Sequence, residues 1–194
     1  MSPEKKYIEI VWHGRGGQGA ITASQLIAEA AAMEGYPGIT TAPVFGAERR
    51  GAPVAAFLRI AREPIRIFSQ IQNPDYAVIL DPTLLPVLNL PAKLDPSTVI
   101  IINSAQTPEE LGLSFFNRVG TADISSISIK HNLKAGGLPV LNTPILGSFA
   151  KTTSIVSIES VTESILRKFG HEKGAGNIEA AKEAFEETRL YEKN

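Results

Sequence analysis

A run of β-branched and apolar residues at 7–12 leads straight into HGRGGQG at 13–19, and the apolar positions beyond it recur at helical spacing. Gly14, Gly16 and Gly19 fit G-x-G-x-x-G in the one context that gives the pattern mechanical meaning. There the strand turns sharply, the backbone approaches a neighbour closely, and the opening helix aims its N–H groups at whatever lies in front of it. Ala20, Ala23, Leu26, Ile27 and Ala30 carry the helical stripe until Gly35 and Pro37 end it. The opening unit reads as strand, glycine loop, helix. Two roles stay open for its glycines: contact with a phosphate, or only a tight turn and close packing.

The rest of the chain repeats the alternation. Residues 38–44 read as extended, 45–53 as a polar loop carrying Arg49 and Arg50, and 54–60 as a second β-like run. The runs 76–80 and 98–102 are apolar and end at Asp81 and Asn103, the pattern of strands buried on both faces. Helices are expected over 125–133, 148–157 and 158–169. Gly170 should stop the last, with a further break at Gly174 and Gly176. An amphipathic terminal helix is expected from Asn177, with Ile178, Ala181, Phe185 and Thr188 on one face. The prediction is an α/β fold: a single Rossmann-like domain over 1–194, with a mostly parallel sheet and helices on its faces. Ligands of such sheets sit at the carboxyl ends of the strands. A chain of 194 residues with 43% hydrophobic content supplies one sizeable core and is short for two.

Several function classes fall away on chemistry. With 19 basic and 20 acidic residues no overall field draws the chain to nucleic acid or to an anionic membrane, so an anion site must be local. The N-terminus lacks a secretory pattern and no apolar run reaches membrane-spanning length, which predicts a cytoplasmic protein. Without cysteine the chain cannot hold a cysteine-ligated iron–sulfur cluster or a thiolate zinc site, or use a thiol nucleophile. His13, His131 and His171 show no metal-ligand spacing, so no metal site and no catalytic residue is assigned. A nicotinamide dinucleotide site would want an acidic residue after the helix, and 35–47 has none. A P-loop would want Lys and Ser/Thr where Ala20 and Ile21 stand. Arg15, Arg49 and Arg50 carry guanidinium forks that suit phosphate oxygens, although an exposed Arg-Arg pair equally suits a solvated or interface loop. Asp81 reads as a turn or helix cap and His13 as a structural or interface residue. Asn142 and Thr143 open a helix, or reach a ligand amide or phosphate.

Four segments, HGRGGQGAITASQLIAEAA, FGAERRGAPVAAFLRI, PIRIFSQIQNPDYAVILDPTLL and LNTPILGSFAK, occur in this order across almost the whole chain. Together they resemble the gamma subunit of pyruvate/ketoisovalerate ferredoxin oxidoreductases. The resemblance implies coenzyme A-dependent oxidative decarboxylation of a 2-oxoacid, with pyruvate the leading substrate, to acyl-CoA and carbon dioxide, and reduction of ferredoxin. It implies alpha, beta and delta partner subunits that hold thiamine diphosphate, magnesium and the iron–sulfur clusters, and a non-redox role for this chain. It further implies a shared coenzyme A site to which Gly14, Gly16, Gly17, Gln18, Gly19, Arg49 and Arg50 contribute. The competing expectations are a purely structural subunit of the same complex and a free-standing nucleotide-binding protein.

Overall fold

The computed structural model describes residues 6–43 and 51–193, so Arg49, Arg50 and most of the expected basic loop lie outside the described residues. The chain runs β1 (Ile8–Arg15), α1 (Ala20–Met33), β2 (Gly38–Pro43), β3 (Pro53–Ala61) and β4 (Tyr76–Ile79). A 3-10 turn (Pro82–Leu84) and two short helices, α2 (Leu85–Leu88) and α3 (Leu90–Lys93), precede β5 (Val99–Asn103) and β6 (Arg118–Ala122). Then come α4 (Ile124–Lys130), a hairpin of β7 (Lys134–Ala135) and β8 (Leu138–Pro139), α5 (Ile145–Thr153), α6 (Ile158–Glu187) and β9 (Arg189–Glu192).

Seven strands form one sheet in the order β2-β3-β1-β4-β5-β6-β9. Its middle, β1-β4-β5-β6, is parallel, the α/β arrangement expected. The flanks are antiparallel: β3 against β1, β2 against β3, and β9 against β6. Residues alternate between the faces of a strand, and the apolar ones sort accordingly. Ile10 and Trp12 of β1, Leu58 and Ile60 of β3, Val78 of β4 and Ile101 of β5 face the core shared with α1, α5 and α6. There Trp12 stacks near Phe149 of α5, ring centroids 5.3 Å apart. Each such side chain, fully buried, contributes about 1.5–3 kcal/mol over an exposed one. The opposite face is more thinly covered. Ala77, Ile79, Ile100 and Ile102 lie with Leu90, Leu113 and Phe116, while Val11 and Phe57 lie with Ile71.

α1 starts at Ala20 and ends before Gly35, as its stripe predicts. The chain's last quarter differs from expectation. Gly170 does interrupt the helix, with φ 71° and ψ 175°, but Gly174 and Gly176 stay helical and α6 continues to Glu187. A glycine inside a helix costs about 1 kcal/mol relative to alanine, and the burial of Val161, Ile165, Ala180, Ala181 and Ala184 offsets it. The tail then leaves the helix: Thr188 is the C-cap of α6 rather than part of its apolar face, and β9 closes one sheet edge. α5 begins at Ile145, three residues earlier than expected.

The topology puts the carboxyl ends of β1, β4 and β5 side by side. Because Arg15 pairs with Pro53, the segment leading into β3 returns against the glycine loop at that same end.

Candidate functional site

Beyond Arg15 the chain turns through Gly16, Gly17, Gln18 and Gly19 into α1. Gly17 (φ 96°) and Gly19 (φ 81°) sit in left-handed backbone that disfavours any side chain. At Gly19 space forbids one as well, since a Cβ would lie 2.5 Å from Asn142 Nδ2. Gly14 lies earlier, within β1, where a Cβ would meet Gln18 Oε1 at 3.4 Å and Ala20 Cβ at 3.5 Å.

The loop's polar side chains are committed to its own frame. Arg15 Nε donates to Asp81 Oδ2 (3.0 Å), Nη2 to Thr83 Oγ1 (2.8 Å) and Nη1 to the Gly51 carbonyl (3.1 Å). Gln18 Nε2 donates to Asp81 Oδ2 (2.9 Å), and Gln18 Oε1 accepts from the Arg15 N–H (2.7 Å). Asp81 is the cap expected of it, accepting from Thr83 N (3.0 Å) and Thr83 Oγ1 (2.6 Å). It is also the anchor of the glycine loop, a role with no local signal in the sequence. Burial opposes ionisation of its carboxyl, but hydrogen bonds from Thr83 and Gln18 and the Arg15 guanidinium outweigh that and hold its pKa below the usual carboxylate range. The Gly16 N–H donates to Ala52 O (2.8 Å) and the Gly51 N–H to Gly16 O (3.1 Å), so residues 51–52 are tied to the loop.

A cleft of about 940 Å³ opens between this loop, the strand ends and the β7–β8 hairpin. That is the upper range of small-molecule sites. One wall is the first turn of α1. The first helical bond is Ala23 N–H to Gly19 O (2.9 Å), and no side chain caps the helix, so the N–H groups of Ala20, Ile21 and Thr22 have no intrahelical acceptor. All three residues line the cleft. Aligned peptide dipoles add partial positive charge there, which favours negative charge in front of that wall.

The floor contains Leu80, Asp81, Asn103 and Ser125. Asn103 Nδ2 donates to Leu80 O (2.9 Å) and Ser125 Oγ (3.1 Å), joining β4, β5 and α4. On the far side the hairpin turns through Gly136 (φ 58°) and Gly137 (φ 81°) and presents Leu138, which is 62% exposed. Asn142 also lines the cleft, and its buried Oδ1 has no hydrogen-bond partner among the described residues. Thr143 is buried elsewhere and donates to Asn177 Oδ1 (2.6 Å).

Of the expected residues, Gly16, Gly17, Gln18 and Gly19 line the cleft, and Gly14 supports them from β1. Gly51, which follows Arg50 in the chain, lines it too. Arg15 lines the cleft and is ion-paired with Asp81. Asn103, Ser125 and the hairpin escaped the sequence reading. For Asn103 a signal existed, since it ends an apolar strand just as Asp81 does. The pKa of His13 is lowered to about 4 by burial, helped by Lys93, so its imidazole is neutral near pH 7. Among the described residues no group of three or more His, Asp or Glu is arranged to hold a metal ion, and no helix is long and apolar enough to cross a membrane.

Residues 9–189 match the family model for pyruvate ferredoxin/flavodoxin oxidoreductase. The common gamma subunit of the pyruvate/ketoisovalerate oxidoreductases of Thermococcus litoralis is 47% identical over 188 residues, covering 95% of this chain and 99% of that one. The crystal structure of pyruvate oxidoreductase subunit PORC from Thermotoga maritima superposes with a TM-score of 0.81 at 34% identity, covering 97% of this chain and 100% of that one. The 2-oxoglutarate:ferredoxin oxidoreductase of Magnetococcus marinus, solved with 2-oxoglutarate, coenzyme A and succinyl-CoA bound, shares the fold. Its TM-score is 0.71 at 22% identity, over 93% of this chain and 31% of that one.

Proposed function

This chain belongs to the gamma-subunit family of the pyruvate/ketoisovalerate (2-oxoacid):ferredoxin oxidoreductases, and from that premise we propose that its cleft binds the phosphate-bearing end of coenzyme A. The observation that carries the reading is the uncapped first turn of α1, which opens with the glycine loop onto the cleft. Three N–H groups without an intrahelical acceptor at a helix N-terminus suit a phosphate. Gly16, Gly17 and Gly19 let backbone, rather than side chains, meet the ligand. Gln18 shapes the loop through Asp81 and offers the ligand only its main chain. Arg49 and Arg50 supply the countercharge, and Gly14 keeps the strand close behind the loop. A protein of the same fold was solved with coenzyme A bound, which adds to the reading.

The chain acts as one domain of a cytoplasmic complex and delivers the coenzyme's thiol to chemistry performed on other chains. Thiamine diphosphate with magnesium belongs on the alpha and beta subunits, and the iron–sulfur clusters on the beta and delta subunits. Lacking cysteine, this chain leaves cluster ligation to them. Ferredoxin is the electron acceptor and pyruvate the leading substrate. The contribution here is positioning, which makes attack by a thiol effectively intramolecular.

The test is kinetic. In the assembled complex, Arg49→Ala with Arg50→Ala should raise the KM for coenzyme A by about 10- to 100-fold, the loss of one or two charge-assisted hydrogen bonds. The KM for the 2-oxoacid should stay unchanged. Equal rises in both constants would mean that the arginines hold subunits together instead.

A further inference from the structure

Asn142 stands in the cleft beside the start of α1, and its amide is left over from the bonding that holds the cleft's walls together. Resting on the coenzyme A reading above, we propose that Asn142 is a ligand-contacting residue: its Nδ2 donates to the same phosphate group that faces the N–H groups of Ala20, Ile21 and Thr22.

Arg15, Gln18, Asp81, Thr83, Asn103 and Ser125 line the same cleft, and each makes at least one side-chain hydrogen bond within the protein. Among the described residues the Asn142 amide makes none. Its Oδ1 is buried, out of a ligand's reach, so the end that remains is the donor. A donor needs an acceptor, and the partial positive charge at the start of α1 favours an anionic one there, as phosphate oxygens are.

The donor lies where it can serve the helix start. A Cβ at Gly19 would lie 2.5 Å from Asn142 Nδ2 and 2.9 Å from its Cγ, so the amide occupies the space that a side chain at 19 would take. Gly19 is the N-cap of α1, and the three N–H groups without an intrahelical acceptor follow it directly. Donors from two separate elements thus stand at one rim of the cleft. The backbone that carries Asn142 is fixed on both sides. Leu141 O accepts from Ile145 N–H (3.3 Å) and Thr143 O from Leu146 N–H (3.2 Å), while Thr143 Oγ1 donates to Asn177 Oδ1 (2.6 Å). Its neighbours are tied to α5 and α6, so the amide meets a ligand without the cost of first ordering its backbone.

Steady-state kinetics of the assembled complex test the contact, with inorganic pyrophosphate as a competitor that carries phosphate chemistry alone. Asn142→Ala should raise the KM for coenzyme A about tenfold, the loss of one hydrogen bond to a charged acceptor. It should raise the inhibition constant of pyrophosphate by the same factor and leave the KM for the 2-oxoacid unchanged. A rise for coenzyme A alone would set the amide against another part of the coenzyme and overturn the proposal. An unchanged KM with a poorer yield of assembled complex would mean a structural role and refute the contact. Asn142→Asp keeps the shape and sets a carboxylate where the donor was, so it should weaken both ligands further. Undiminished binding in that variant would mean that the side chain accepts from the ligand, which also overturns the proposal. Thr22→Glu separates this inference from the reading beneath it, because it brings negative charge to the cleft while suiting the first turn of α1. If Thr22→Glu weakens coenzyme A and Asn142→Ala does not, only the role of Asn142 fails. If neither variant moves the KM for coenzyme A, the coenzyme A reading fails and this proposal with it.

Discussion

Gly19 concentrates the constraints on the glycine loop. It must take φ 81° to turn the strand into α1, and it must present no side chain to Asn142. Gly19→Ala should cost about 1–3 kcal/mol of stability, the usual cost of a strained left-handed residue. The contact with Asn142 adds to that strain. Urea unfolding of the isolated chain checks it, and an unchanged midpoint would mean that the loop relaxes without strain. Glycine spacing in the sequence announced this residue. The jobs of its neighbours were hidden, because Arg15 and Gln18 find their partner Asp81 66 and 63 residues away. A guanidinium beside a phosphate-type loop suggests a ligand contact until its own counter-ion is seen. Asn142 and Thr143 show the same limit: adjacent in sequence, one lines the cleft and the other is buried against α6.

Among the elements, those with a strong stripe, a β-like run or a continuous apolar run were legible: β1, α1, β2, β3, β4 and β5. The weakly patterned ones were not. β6 (RVGTA) has few apolar residues, and its Gly120 lies close against Thr152 of α5, a packing reason that no periodicity reveals. β9 follows a helix without a glycine or proline to announce it, and only the exposed edge of β6 makes a strand of it. α1 and α6 are joined by a device readable only in three dimensions. Glu34, the C-cap of α1, accepts from Ser157 N (3.0 Å), Ser157 Oγ (2.6 Å) and Ser160 Oγ (2.7 Å) at the start of α6. Those hydrogen bonds, from Ser157 and then Ser160, with Arg62 adding a smaller pull, hold its pKa down to about 2 against an ordinary 4.5. A carboxylate whose pKa falls on folding stabilises above its unfolded pKa, and the gain is lost as pH drops through the folded value. The stability difference between the native chain and Glu34→Gln should therefore be constant near pH 7 and shrink between about pH 4.5 and 2. Parallel urea titrations across that range measure it, and a difference independent of pH would rule out the ionised cap.

At the scale of the whole molecule, the alternation of strands and helices was enough to foretell an α/β fold with a parallel centre to its sheet, because few topologies satisfy that order. The antiparallel flanks and the cleft's far wall depend on long-range pairing and lay beyond pattern reading. The architecture gathers backbone donors at one rim of the cleft, which makes coenzyme A binding the central claim. Calorimetric titration of the assembled complex with coenzyme A, and with dephospho-coenzyme A and NAD as controls, tests it most directly. The account predicts coenzyme A-selective binding that weakens about 10- to 100-fold when Arg49 and Arg50 are both replaced by alanine. Binding that is equally tight with and without the two arginines would contradict it.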